Sequence, residues 1–120
     1  DRLRSRGLGD VYKRQDIFGV IIRKGQGALK RKTALAKGED GKFVILGTEK
    51  LSSETSAPKA NCILAEDAED ATAGDVAATA YRVGHFNENA LIVADGYTLT
   101  DEDRENFRQG GILLDTAMKY

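Results

Sequence analysis

The apolar residues of this chain come in runs too short to found a helix. IFGVII, TALA, FVIL, CILA, VAATAY and ILL are three to six residues long, and each is closed by charged residues or glycine. Such runs between turn formers fit strands, since a packed helix needs roughly ten or more residues of 3.6-residue periodicity. KTALAK and KFVIL, separated by GEDG, read as a hairpin with a glycine-containing loop. DIFGVIIRKGQG is an extended segment ending in a Gly-rich turn. LSSETSAPKAN, residues 51–61, gathers the polar residues and the single proline of a surface loop. NCILAED follows as a buried strand, EDAEDATAG as an acidic turn, and ILLDTA as a closing strand. In GDVAATAYRVG, alternation puts Val76, Ala78, Ala80 and Arg82 on one face and Ala77, Thr79, Tyr81 and Val83 on the other. The contrast is shallow because alanine occupies both faces.

One stretch departs from the strand rhythm. In TLTDEDRENFRQGG, Thr100 is an N-cap with Asp103 in capping-box position, and Asp101, Glu102 and Asp103 place negative charge at the positive end of a helix. Arg108 falls in the last turn, and Gly110 is placed to end the helix in a left-handed conformation. The spacing predicts a helix over about 101–109 whose main apolar contact is Phe107, aided by Leu99, so it must lie on a β-rich body. The fold class expected is α+β, predominantly β: a small, compact β-barrel-like domain with one short C-terminal helix.

The first fifteen residues, DRLRSRGLGDVYKRQ, do not share this patterning. They carry five basic residues, but Asp1 and Asp10 interrupt them, and Leu3, Leu8, Val11 and Tyr12 keep no helical spacing, unlike a transit peptide. Ser5 to Gln15 resembles a transposase-based sequencing adapter translated in frame. Residues 1–15 are therefore expected to be a non-native leader, and 16–120 a single domain. Without the leader's five basic and two acidic residues, 13 basic and 17 acidic side chains remain, a net charge of −4 against −1 for the full sequence. That balance argues against direct nucleic-acid binding, which draws on neutralised phosphates. The short run Lys30-Arg31-Lys32 reads as a solvated turn. IFGVII and ALIVA, stopped by Arg23 and Asp95, fall far short of the ~20 apolar residues of a membrane span.

Little in the sequence assembles chemistry. One His and one Cys cannot supply a zinc site. Cys62, in NCILA, reads as a buried inert thiol, and His85, in VGHFNENA, as a residue of a strand-end turn. A Cys62–His85 hydrolytic dyad would lack both an orienting third group and an oxyanion turn. The acidic cluster Glu66, Asp67, Glu69 and Asp70 lacks the order of a calcium loop, and the one at 101–105 is explained by helix capping. GQG at 25–27 is too short for a phosphate loop. No catalytic, cofactor or metal site is expected. A carrier or adaptor barrel remains open, since KGQGALKRKTALAK followed by GKFVIL has the rhythm of lipoyl and biotinyl domains, although their modified-lysine hairpin is absent.

A more specific likeness covers about residues 25–117. An "ILAED" strand (Ile63 to Asp67), an acidic Ala-Thr-Gly turn (Asp70 to Gly74) and Tyr-Arg-x-Gly (Tyr81 to Gly84) come first. FN-x-x-AL (Phe86 to Leu91), Leu-Thr-x-x-Asp (Leu99 to Asp103) and Gly-Ile (from Gly111) follow in order. Together they resemble the phage head decoration family typified by the lambda decoration protein. GALKRKTALAK is similar to the family's first hairpin strand, departing from it at Lys32, where Gly is usual. The resemblance implies a non-enzymatic virion protein: a homotrimer on the outer surface of the expanded capsid, assembled in the host cytoplasm and stabilising the head against DNA pressure. Its partners would be itself and the phage major capsid protein, with no cofactor and no membrane. It also implies that the segment ahead of the first strand orders against the shell. On that basis Ile17, Phe18, Val20, Ile21 and Ile22 are the candidates for capsid contact, by augmenting an edge of a coat-protein sheet, the alternative being that they form a core or edge strand of the domain itself.

Overall fold

The computed structural model describes residues 17–115. The leader, residues 1–15, and the last residues of the expected closing strand lie outside them. Five strands form a closed barrel: β1 (Ile17–Ile22), β2 (Ala34–Lys37), β3 (Phe43–Ile45), β4 (Lys59–Leu64) and β5 (Val76–Tyr81), in the order β1-β3-β2-β4-β5. β6 (Gly84–Asn87) leads into a 3-10 turn (Glu88–Ala90), then helix α1 (Asp101–Gly110) and β7 (Ile112–Asp115). β6 and β7 pair in parallel as a two-stranded ribbon, from Gly84↔Ile112 to Asn87↔Asp115. Among the described residues no helix is long and apolar enough to cross a membrane.

The barrel has a core on each side of its wall. Inside it, Val20, Ile22, Leu35, Phe43, Cys62, Leu64 and Ala80 pack with Leu29 and Ala71 from the connecting loops. Outside, Ala34, Ala36, Val44, Leu46, Ala60 and Ile63 pack against Phe107 of α1 and Ile112 of β7. Alternation accounts for β2 and β3: Leu35 faces in while Ala34 and Ala36 face out, and Phe43 faces in while Val44 faces out. β4 needs one further device, because Ala60 and Ile63 share the outer face although two residues, an even number, lie between them. Leu35 pairs with Cys62 but Ala36 pairs with Ala60, so Asn61 is the extra residue of a β-bulge. The bulge restores the parity that puts Cys62 and Leu64 inside.

The hairpin, the strand alternation of β5 and the helix follow the sequence. Three boundaries differ. β4 begins at Lys59, so the loop ends three residues early, the outer core claiming Ala60. His85 lies within β6 and not in a turn, because β7 supplies a ladder that local patterning does not reveal. The left-handed helix cap is Gly111 (φ 108°) and not Gly110. There the backbone passes so close to Val83 that a Cβ would lie 2.7 Å from its Cγ1. The capping box of Thr100 and Asp103 forms as expected, and the Tyr97 hydroxyl also donates to the Asp103 carboxylate.

Lys32, where the resembling family pattern carries Gly, is the one non-glycine with positive φ (77°) among the described residues. Its N–H donates to Leu64 O and its C=O accepts from Ile92 N, which fixes the turn into β2 in that geometry. A side chain in the left-handed region costs about 1–2 kcal/mol, partly offset by the entropy that glycine loses on folding. Lys32→Gly is therefore expected to stabilise the fold by about 0.5–1 kcal/mol, measured as a rise in denaturation midpoint at unchanged m-value.

Candidate docking surface

β1 is built differently along its two edges. On one side it pairs with β5 over its whole length, from Ile17↔Tyr81 to Ile22↔Val76. On the other it meets β3 only at Ile22↔Phe43, followed by the bond from Arg23 N to Phe43 O at 2.9 Å. The edge along Ile17–Ile21 therefore has no strand partner among the described residues. β3 cannot supply one: in the parallel register set by Ile22↔Phe43, Ile17–Ile21 fall opposite residues 38–42, which precede β3 and carry the hairpin turn.

The end of β1 is anchored by a partly buried charge cluster. Arg23, 8% exposed, places Nη2 3.0 Å from Glu54 Oε2 and 3.2 Å from Asp40 Oδ1. Glu54, also buried, accepts from Leu51 N and Glu39 N, so one carboxylate binds the 51–56 loop to the hairpin turn. Arg23 Nε is buried without a partner, a cost the ion pairs must offset. Beside it, Glu39 accepts from the Thr55 hydroxyl and N–H and from Ser56. Those donors, the Thr55 hydroxyl first, hold the Glu39 carboxyl at about 2, far below its ordinary value.

Of the five contact candidates, Val20 and Ile22 point into the barrel, where their side chains serve the core. Phe18 packs partly against that core, edge-on to Phe43 with ring centroids 6.3 Å apart, and carries the Arg82 guanidinium over its face. Ile17 and Ile21 point outward, Ile21 being 43% exposed. The open backbone edge beside them follows from pairing partners distant in the chain, which single-strand patterning does not carry.

The remaining candidates stay apart. Cys62 is fully buried inside the barrel, and burial pushes its thiol up to about 12. His85 sits on the exposed face of the ribbon with Nε2 2.8 Å from Asp115 Oδ2. The two belong to different layers and form no dyad. Lys30-Arg31-Lys32 is tied to the acidic turn by a bond from Arg31 N to Asp67 Oδ1 at 2.8 Å, and Asp70 Oδ1 accepts from Thr72 N. Among the described residues no cluster of His, Cys, Asp or Glu is arranged to hold a metal ion. The tip of the first hairpin, Gly38 to Gly41, carries no lysine for a carrier-type modification.

Arg23→Ala leaves Glu54 buried without its cation and is expected to cost about 3–5 kcal/mol of stability, read from chemical denaturation. Glu39 gives a pH signature. A carboxyl held low in the folded state supports folding above its unfolded value and loses that support as pH falls through the folded one. Amide protection of Thr55 and Ser56 should thus persist near pH 4.5 and be lost towards about 2, the values that bracket the shift. Hydrogen exchange across that range, with Glu39→Gln lacking the transition, tests it.

Residues 12–113 match the family model described as Bacteriophage lambda head decoration protein D, the first four of them within the stretch expected to be a leader. No curated protein matches the chain. The matched span takes in the whole barrel, the ribbon's first strand, the helix and the start of β7. The chain belongs to the lambda head decoration protein D family, a family of bacteriophage capsid decoration proteins.

Proposed function

We propose that the protein docks as a homotrimer on the outer surface of the expanded phage head, against the major capsid protein, and stabilises the shell against DNA pressure. Family membership supports the setting, and the open edge of β1 is the observation that carries the contact. A strand partner from the shell finds main-chain donors and acceptors along Ile17–Ile21. Val20 and Ile22 then contribute through their backbone, while Ile17 and Ile21 border the junction with their side chains. Residues 1–15 are on this reading adapter-derived and take no part.

The energetics favour a trimer for this task. A single added strand of five residues is a weak attachment, but three edges on one rigid unit make the second and third engagements intramolecular. Affinity for the expanded lattice alone stabilises that lattice by mass action. No chemistry is required of the chain, only shape, edge and copy number.

Sedimentation of residues 16–120 is expected to show a trimer or reversible trimerisation. With its native leader, the protein should bind expanded heads of its own phage and raise their resistance to heat-induced DNA loss. A protein that stays monomeric at all concentrations overturns the trimer, and one that fails to bind those heads overturns the function.

A further inference from the structure

The chain contains two Asp-Gly pairs, Asp40-Gly41 and Asp95-Gly96, and no Asn-Gly. This dipeptide is chemically labile, because glycine has no side chain to keep its own nitrogen from approaching the preceding carboxyl carbon. Both pairs sit in exposed turns, and their glycines share one backbone conformation, φ 82° at Gly41 and 80° at Gly96. A Cβ on either glycine would meet nothing within 4 Å, so crowding does not distinguish them. What differs is the hold on the two reacting groups. At the first pair, Gly41 N donates to Gly38 O at 3.0 Å, and Asp40 Oδ1 accepts from Arg23 Nη2 at 3.2 Å and from Lys42 N at 3.0 Å. At the second, neither the Gly96 N–H nor the Asp95 carboxylate has a hydrogen-bond or ion-pair partner among the described residues.

The residues flanking the second pair are firmly held. Ala94 N donates to Leu46 O at 2.9 Å, and Tyr97 N donates to Ala94 O at 3.0 Å. The Gly47 backbone lies so close to this turn that a Cβ there would stand 2.7 Å from Tyr97 Cγ and 3.0 Å from Ala94 Cβ. The Tyr97 hydroxyl donates to the Asp103 carboxylate that completes the capping box of α1. We propose that Asp95-Gly96 is a site of spontaneous isoaspartate formation, and that conversion there loosens the cap of α1 through Tyr97. Gly96 N bonds to Asp95 Cγ, and the displaced carboxylate oxygen leaves as water with the amide proton and one proton from solvent. Water then opens the resulting succinimide. Opening at Cγ restores aspartate, while opening at the α-carbonyl leaves the chain running through Cγ with the α-carboxylate as the side group. The second product lengthens the backbone between Ala94 and Tyr97 by one carbon. Tyr97 has no room to move towards Gly47, so the added length carries it away and its hydroxyl off Asp103.

The test ages the full chain in warm, neutral buffer made with heavy-oxygen water. Each ring opening adds one labelled oxygen, peptide mapping locates it, and electron-transfer fragmentation separates isoaspartate from aspartate. Isoaspartate is expected at residue 95 about tenfold or more faster than at residue 40, the factor by which having to release one or two hydrogen bonds slows the second site. In the aged protein, exchange of the Thr100 and Asp103 amides, which the capping box holds, should quicken while that of the barrel strands does not change. Asp95→Glu keeps the charge but would have to close a larger ring, and it should show neither the modification nor the quickened exchange. No isoaspartate at 95, or equal rates at the two sites, overturns the modification site. Isoaspartate at 95 with unchanged exchange at Thr100 and Asp103, or quickened exchange on ageing of Asp95→Glu, overturns the link to the cap.

Discussion

The wall made by β2, β3 and β4 is apolar on both sides, and a sheet with two apolar faces cannot stand in water without a second layer. Leu35, Phe43, Cys62 and Leu64 fill the barrel, while Ala34, Ala36, Val44, Ala60 and Ile63 demand cover from outside. Helix α1 is that cover. It has one fully buried large residue, Phe107, and the rest of its side chains are charged or polar, so it is held by its place on the wall more than by its own propensity. Small residues at Ala34, Ala36 and Ala60 let the helix and ribbon approach closely. The extra residue at Asn61 keeps the alternation of β4 correct on both sides at once, and slipping it would turn Cys62 and Leu64 out of the interior.

Local chemistry made the separate pieces of this arrangement readable in the sequence. The capping box at Thr100 and Asp103, the GEDG hairpin and the inward row Val76, Ala78 and Ala80 all depend on neighbours within a few residues, and each is present. What escaped depends on partners distant in the chain. β6 is a strand because β7, about 28 residues later, pairs with it, and the helix cap moved to Gly111 because Val83 crosses there. The candidate docking surface divides along the same line. The apolar run IFGVII marked β1 as important, but which of its residues turn inward, and that one edge stays open, follow from β3 and β5. Lys32 was legible as a departure from a pattern, and its positive φ gives that departure a physical meaning.

Around β1 the structure combines a firm anchor with an open end. Arg23 and Glu54 fix the strand's C-terminal end to the 51–56 loop through charges largely removed from water, where breaking one partner costs more than the pair contributes, and exposed Asp40 adds a contact to the hairpin turn. Beyond that anchor the strand is held by β5 and by its inward side chains alone. An attachment made there is transmitted through a continuous ladder to the barrel body, and it need not rearrange the cores to form.

The two layers are also separate in sequence order. Residues 17–81 make the barrel strands, and residues 84–115 make the ribbon and helix that cover the wall. A chain emerging from the ribosome therefore completes its barrel, closed by the pairing of its first and fifth strands, before the cover for Ala60 and Ile63 has been synthesised. During that interval the outer wall is without its cover. The capping box and acidic first turn of α1 are local signals that favour the covering helix as soon as residues 100–110 are synthesised.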